Sequence, residues 1–180
     1  MLSCDLSFGG KKSTNDPVCL TVWGRLGGNH YLLKIVNKVM SFTETLENIR
    51  FLCGTYPQMK KKLIERKANG AATIETLNKE IGGFVPFEPG AKSKLERLEL
   101  CLPHFEAHNM FFPDESVEPN IDEYVDQLLR FPKVVHDDFV DTISQYLLNY
   151  EYKYNGGRIQ TDSSFATISK VIRGFRVWLD

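Results

Sequence analysis

Three aspartates crowd the stretch His136-Asp137-Asp138-Phe139-Val140-Asp141. At about 100° per residue on a helix, Asp137, Asp138 and Asp141 fall within an arc of roughly 100°, with Asp141 between the other two. Carboxylates that close repel, and the repulsion is relieved by a raised pKa, by the positive end of the helix dipole or by a bound cation. A hard oxygen cluster of this kind suits Mg²⁺ or Mn²⁺, which take one or two carboxylates per site and complete their shells with water and phosphate oxygens. A solvated acidic helix start accounts for the same residues. Phe139, Val140, Ile143, Tyr146, Leu147 and Tyr150 form an apolar face nearly opposite the carboxylates, and acids in a first turn favour the dipole whether or not they do chemistry.

Acids elsewhere must decide between those readings. Two-metal phosphodiester hydrolysis needs carboxylates from separate elements to hold ions roughly 3.5–4 Å apart, one activating water and the other stabilising the leaving oxygen. Asp5, late in a first strand-like run, and Glu65, at the end of Lys62-Leu63-Ile64-Glu65, complete such a set with the Asp137 to Asp141 cluster if their strands are neighbours. Asp16 is either an auxiliary ligand or a turn residue before Pro17. His136 either positions an acid or a water, or caps the helix. The basic residues Lys60, Lys61, Lys62, Arg66 and Lys67, with Lys92, Lys94 and Arg97, either line a groove for a DNA backbone or are simply solvated. Gly9-Gly10-Lys11-Lys12-Ser13-Thr14 does not make a phosphate loop, because Lys12 stands where that motif requires a hydroxyl.

The elements that must position these groups read as a mixed sheet covered by helices. Leu2–Ser7, Val18–Gly24 and His30–Val36 are β-rich, the last two joined by a hairpin-type turn at Arg25-Leu26-Gly27-Gly28-Asn29. Ser41 with Glu44 forms a capping box for a helix ending before Pro57. A strand at Lys62–Glu65, a helix carrying Ile74, Leu77 and Ile81, and a strand at Phe84–Phe87 follow. A helix from Ser93 then carries Leu95, Leu98, Leu102 and Phe105. Met110–Pro113 reads as an edge segment, Asp122–Phe131 as a helix, and Asp137–Tyr150 as the acidic helix. The expected architecture is an α/β domain whose mixed sheet opens with three antiparallel strands and is flanked by helices.

The 180 residues suffice for one domain with a substantial core. A formal net charge of −1 excludes a global basic field, but the charge is uneven. Residues 114 to 141 hold nine acids against Arg130 and Lys133, so any polyanion contact must be local. Cys4, Cys19, Cys53 and Cys101 are widely spread and read as reduced thiols. No apolar run approaches a membrane span, so the chain is expected to be soluble.

Leu63-Ile64-Glu65-Arg66-Lys67-Ala68-Asn69-Gly70, followed downstream by Leu128-Leu129-Arg130-Phe131-Pro132 and His136-Asp137-Asp138-Phe139-Val140-Asp141, resembles the nuclease domain of the large terminase subunit of tailed bacteriophages. Asp5 with the Val22-Trp23-Gly24 strand resembles that family's opening. The likeness covers residues 1 to 150; residues 151 to 180 read as a tail, weakly ordered or partner-contacting. The resemblance implies an RNase H-like fold and an endonuclease, using two Mg²⁺ or Mn²⁺ ions, that cuts concatemeric double-stranded viral DNA during genome packaging. It implies Asp5, Glu65 and Asp138 as catalytic residues and metal ligands, with Asp137 and Asp141 supporting and the order of Asp137 and Asp138 open. Its implied partners are double-stranded DNA, the ATPase motor domain of the same full-length protein, the portal and the small terminase subunit, in the host cytoplasm and without a membrane. On that reading Met1 marks an excised domain. A non-catalytic docking module for portal or DNA, and an RNase H-like resolvase or transposase nuclease, are the alternatives.

Overall fold

The computed structural model describes residues 1–6, 17–66, 68–149 and the pair Phe175–Arg176. Asp16 and Lys67, and all of the 151–180 tail except that pair, lie outside the described residues. Strand β1 (Leu2–Asp5) is buried along its whole length, as a strand with neighbours on both sides should be. It pairs antiparallel with β2 (Val18–Leu26) on one side and parallel with β4 (Lys62–Glu65) on the other. β2 continues into β3 (Asn29–Lys38) through a two-residue turn at Gly27-Gly28. Gly27 sits at φ 61°, the left-handed conformation that tight hairpin turns require at their first central position.

β5 (Phe84–Phe87) lies parallel beside β4, β6 (Met110–Pro113) parallel beside β3, and β7 (Phe175–Arg176) antiparallel beside β6. The order is β5-β4-β1-β2-β3-β6-β7, a mixed sheet with three antiparallel strands at its start, as the sequence suggests. The expectation that Met110–Pro113 forms an edge is corrected, because β7 covers its outer side.

Strand alternation divides the core into two layers. Leu2, Cys4, Leu20, Val22 and Ile64 face α1 (Phe42–Thr55) and α2 (Ala68–Leu77). Trp23, Leu32 and Ile35 face α5 (Ile121–Arg130) and α6 (Asp138–Leu148). The Ser41–Glu44 capping box opens α1 as expected, and a second one, Ser93 with Glu96, opens α3 (Lys94–Glu99). The single helix expected from Ser93 is two. Pro103 in the first turn of α4 (Leu102–Glu106) has no N–H to continue the ladder and crowds the preceding turn, so α3 stops and α4 restarts.

Helix α6 departs most from its sequence pattern. Every residue from Asp138 to Leu147 is buried, including the polar positions opposite the apolar stripe. The solvated acidic face is therefore corrected for Asp138 and Asp141, at 8% and 5% exposure. α6 lies across β1 and β2, meeting β1 through Thr142 and Gln145, and α3 packs against the side that carries Asp141.

Candidate active site

The site begins with strand parity. Ser3 faces α6, because its hydroxyl donates to the Thr142 carbonyl at 2.8 Å, and Asp5, two residues on, shares that face. Ser3 pairs with Leu63 in the parallel β1/β4 register. Continuing that register brings Asp5 beside Glu65, one strand spacing or roughly 4.8 Å away in backbone terms, at the ends of two parallel strands. Asp5 is buried and Glu65 half-buried. On the other side Asp5 pairs with Cys19 of β2.

Cys19 marks where the acids converge. Its thiol lies 3.7 Å from the Thr142 hydroxyl of α6. Burial, followed by a hydrogen bond that acts in the opposite sense and by the charges of Asp138, Asp5 and Asp141, holds it well above the ordinary thiol range. Three carboxylates from two elements distant in sequence thus act on one buried sulfur. α6 is held at this position through Ser3–Thr142 and through Gln145, whose amide donates to the Cys4 carbonyl at 3.5 Å.

A second device fixes Glu65. A Cβ at Gly70 would lie 2.1 Å from the Glu65 carbonyl oxygen and 2.9 Å from Ile64 Cγ2, so only glycine lets the first turn of α2 close onto the end of β4. The sequence contained the signal, Gly70 five residues after Glu65, but not the contact that explains it.

The aspartates of the α6 start divide into two kinds. Asp141 accepts from Arg97 Nη2 at 2.8 Å through one oxygen and from Lys94 Nζ at 2.6 Å through the other. Asp137, at the cap position, accepts from the same Lys94 ammonium at 2.7 Å. Asp138 Oδ2 is buried with no hydrogen-bond partner among the described residues. Burial first, then the neighbouring Asp137 charge, raises the Asp138 carboxyl above its usual range. Burial also raises Asp141 against the opposing pull of Lys94. For Lys94, burial lowers the pKa, but its bonds to Asp137 and Asp141 outweigh burial and hold it above the usual lysine range. The two partners thus point in different senses, and the short contacts to two cations favour the ionised Asp141.

Of the proposed basic groove, two members are corrected. Lys62 is buried at 6% exposure, and its ammonium donates to the carbonyls of Met59 and Gly82 at 3.1 and 2.8 Å. Arg97 is equally buried and serves Asp141. Both satisfy the interior, which removes them from a phosphate-contacting surface. Arg66 pairs with Glu88 at the surface, and Lys92 is exposed. Lys60 and Lys61 line an open cleft with Arg25, Gln58, Trp23 and Tyr146. That cleft opens at the start of β4, roughly 10 Å along the strand from Glu65. His136 is exposed and lines a shallow groove with Lys38 and Glu123.

No family model and no curated protein matches the chain. Solved structures do. The large terminase of a thermophilic bacteriophage matches with a TM-score of 0.58 at 15% identity, over 82% of this chain and 39% of its own. The human cytomegalovirus terminase nuclease domain, soaked with Mn and bound to an inhibitor, matches with a TM-score of 0.51 at 10% identity, over 97% of this chain and 86% of its own. The chain has the RNase H-like fold of terminase nuclease domains. It spans 39% of the length of the phage protein.

Within that terminase nuclease fold, the fit to a metal ion can be tested on the side chains. Among the described residues, no three His, Cys, Asp or Glu side chains stand close enough together to hold an ion as they are. The unsatisfied Asp138 oxygen fits a cation, since a buried carboxylate oxygen without a donor is a cost that a metal bond would remove. Asp137 and Asp141 do not fit, because lysine and arginine already engage them. Among the described residues no helix is long and apolar enough to cross a membrane.

Proposed function

We propose that this chain is a divalent-cation-dependent endonuclease that hydrolyses phosphodiester bonds of double-stranded DNA, the nuclease part of a viral packaging terminase. One observation supports the reading: the β1/β4 register, continued by one residue, sets Asp5 beside Glu65, the thiol paired with Asp5 hydrogen-bonds to α6 one turn after Asp138, and Asp138 Oδ2 is buried with no donor among the described residues. Mg²⁺ or Mn²⁺ bound there supplies an activated water and charge neutralisation at the leaving oxygen.

The chain's own residues set the geometry. Asp5 and Glu65 bind from the sheet, Asp138 binds from the helix, and Gly70 keeps the Glu65 backbone in place. Lys60, Lys61 and Lys92 contact DNA phosphates away from the cut, without reading bases. Double-stranded DNA, an ATPase motor in the same full-length protein, the portal and a small terminase subunit are the partners of this reading, and the host cytoplasm is its setting. The whole enzyme's substrate would be concatemeric viral DNA.

The test is plasmid cleavage. The protein should nick or linearise DNA with Mn²⁺ or Mg²⁺, fall silent in EDTA, and lose cleavage in Asp5→Asn, Glu65→Gln and Asp138→Asn while remaining folded. Wild-type cleavage by Asp5→Asn would overturn the assignment. One observation favours a second reading, a DNA- or portal-docking module: among the described residues the carboxylates are not preassembled as a three-ligand group. Mn²⁺ binding by the folded protein separates the two, since docking requires no ion.

A further inference from the structure

The acidic cluster contains a cation of its own. Lys94 Nζ bridges Asp137 Oδ1 at 2.7 Å and Asp141 Oδ2 at 2.6 Å, and Arg97 Nη2 holds the remaining Asp141 oxygen at 2.8 Å. Two carboxylates therefore face two permanent cations, and their charges cancel.

These cations are built in. The Ser93–Glu96 capping box fixes the start of α3 one residue before Lys94. The Arg97 guanidinium lies 5.9 Å from the Phe87 ring, and Phe87 is the register partner of Glu65. Arg97 is thus wedged between β5 and α6, and Lys94 is held one turn before it on the same helix. The Asp138 oxygen in the same turn of α6 is left without any donor among the described residues, so the neutralisation is selective.

We propose that Lys94 is a resident cation of the site: it stands where Asp137 and Asp141 would otherwise bind a metal ion, and these two aspartates are its counter-charges and not metal ligands. The inference rests on the nuclease reading for the role of Asp138, but it can be tested apart from it. Lys94 is also placed for substrate. An ammonium has three donors, two of which go to the aspartates. Its side chain is 42% exposed, which leaves the third donor open to an anionic oxygen such as a DNA phosphate.

The experiment is calorimetric titration of the folded protein with Mn²⁺, without DNA, in wild type and three variants. Lys94→Met should bind one more ion per chain than wild type, because it releases an oxygen on each of Asp137 and Asp141. Lys94→Arg should keep the wild-type stoichiometry, and so should Asp137→Asn, which needs no change at Lys94 to be informative. Loss of an ion in Asp137→Asn would overturn the inference, as would an unchanged stoichiometry in folded Lys94→Met. Wild type binding no ion while Lys94→Met binds one would overturn the metal-dependent nuclease reading and leave this inference standing.

Discussion

At its C-terminal end α6 lays Tyr146 flat against Trp23, ring centroids 4.7 Å apart, and the Tyr146 hydroxyl meets His30 Nδ1 at 2.8 Å. The Trp23 indole donates to Thr21 at 2.9 Å, so the polar edges of this aromatic stack have partners. Two turns earlier the same helix buries Asp138 with an oxygen that has none among the described residues. Both ends are buried, so burial does not distinguish the helix's own side chains there; their bonding does, since the Tyr146 hydroxyl has a partner and Asp138 Oδ2 has none among the described residues. A buried polar group that has its partner contributes rigidity, whereas one without a partner costs stability unless a water, an ion or a ligand completes it.

The largest effect should come from breaking the satisfied end. Trp23→Ala removes a fully buried ring and should cost about 3–5 kcal/mol in chemical denaturation, while any surviving folded fraction still binds Mn²⁺. Loss of Mn²⁺ binding from that folded fraction would mean that the two ends are not independent. Next is the ion-paired part of the acidic end. Arg97→Met leaves buried Asp141 with Lys94 alone and should cost about 3 kcal/mol, near the lower end for a broken buried pair; urea midpoints of wild type and variant decide it.

His30 sharpens the comparison through pH. Burial, then the neighbouring His104 and Arg25, pushes its pKa down from 6.5 to about 4. The unfolded chain binds a proton there that the folded chain refuses, so stability is present above pH 6.5 and is lost as pH falls towards 4. The loss should reach at most about 3 kcal/mol at 1.36 kcal/mol per unit. His30→Asn should flatten stability over that window, and an equal slope in the variant would assign it to other groups.

Asp138→Asn should act in the opposite direction to Trp23→Ala and Arg97→Met. Replacing a desolvated carboxylate by an amide should raise the thermal midpoint of the metal-free protein, by about 1 kcal/mol of stability, while removing Mn²⁺ stabilisation. A lower midpoint without metal would show that the acid is structural. The smallest effect belongs to the surface: Lys60→Gln and Lys61→Gln should each reduce the salt dependence of DNA binding by about one unit of slope.

Local chemistry made much of this protein readable from its residues alone. Alternation and turn residues mark β1 to β5, Ser41 with Glu44 marks the start of α1, and the spacing of apolar residues marks α5 and α6. These signals act over a few residues, so no tertiary information is needed to see them. Asp5, Glu65 and the Asp137 to Asp141 cluster could be named as candidates because strand ends and helix starts are local features as well, whereas the choice of Asp138 within the cluster came from the family resemblance.

Partnership was decided by the tertiary structure. Lys62 and Lys60 are the same side chain two positions apart, yet one is satisfied by interior carbonyls and the other lies at an open cleft, because only the packing around β4 distinguishes them. Asp141 and Asp138 are likewise equivalent in a helical arc. Residues some forty positions upstream, on α3, neutralise the first and leave the second open. A carboxylate's charge is written in the sequence, but whether a cation already holds it depends on which helix the fold sets against it.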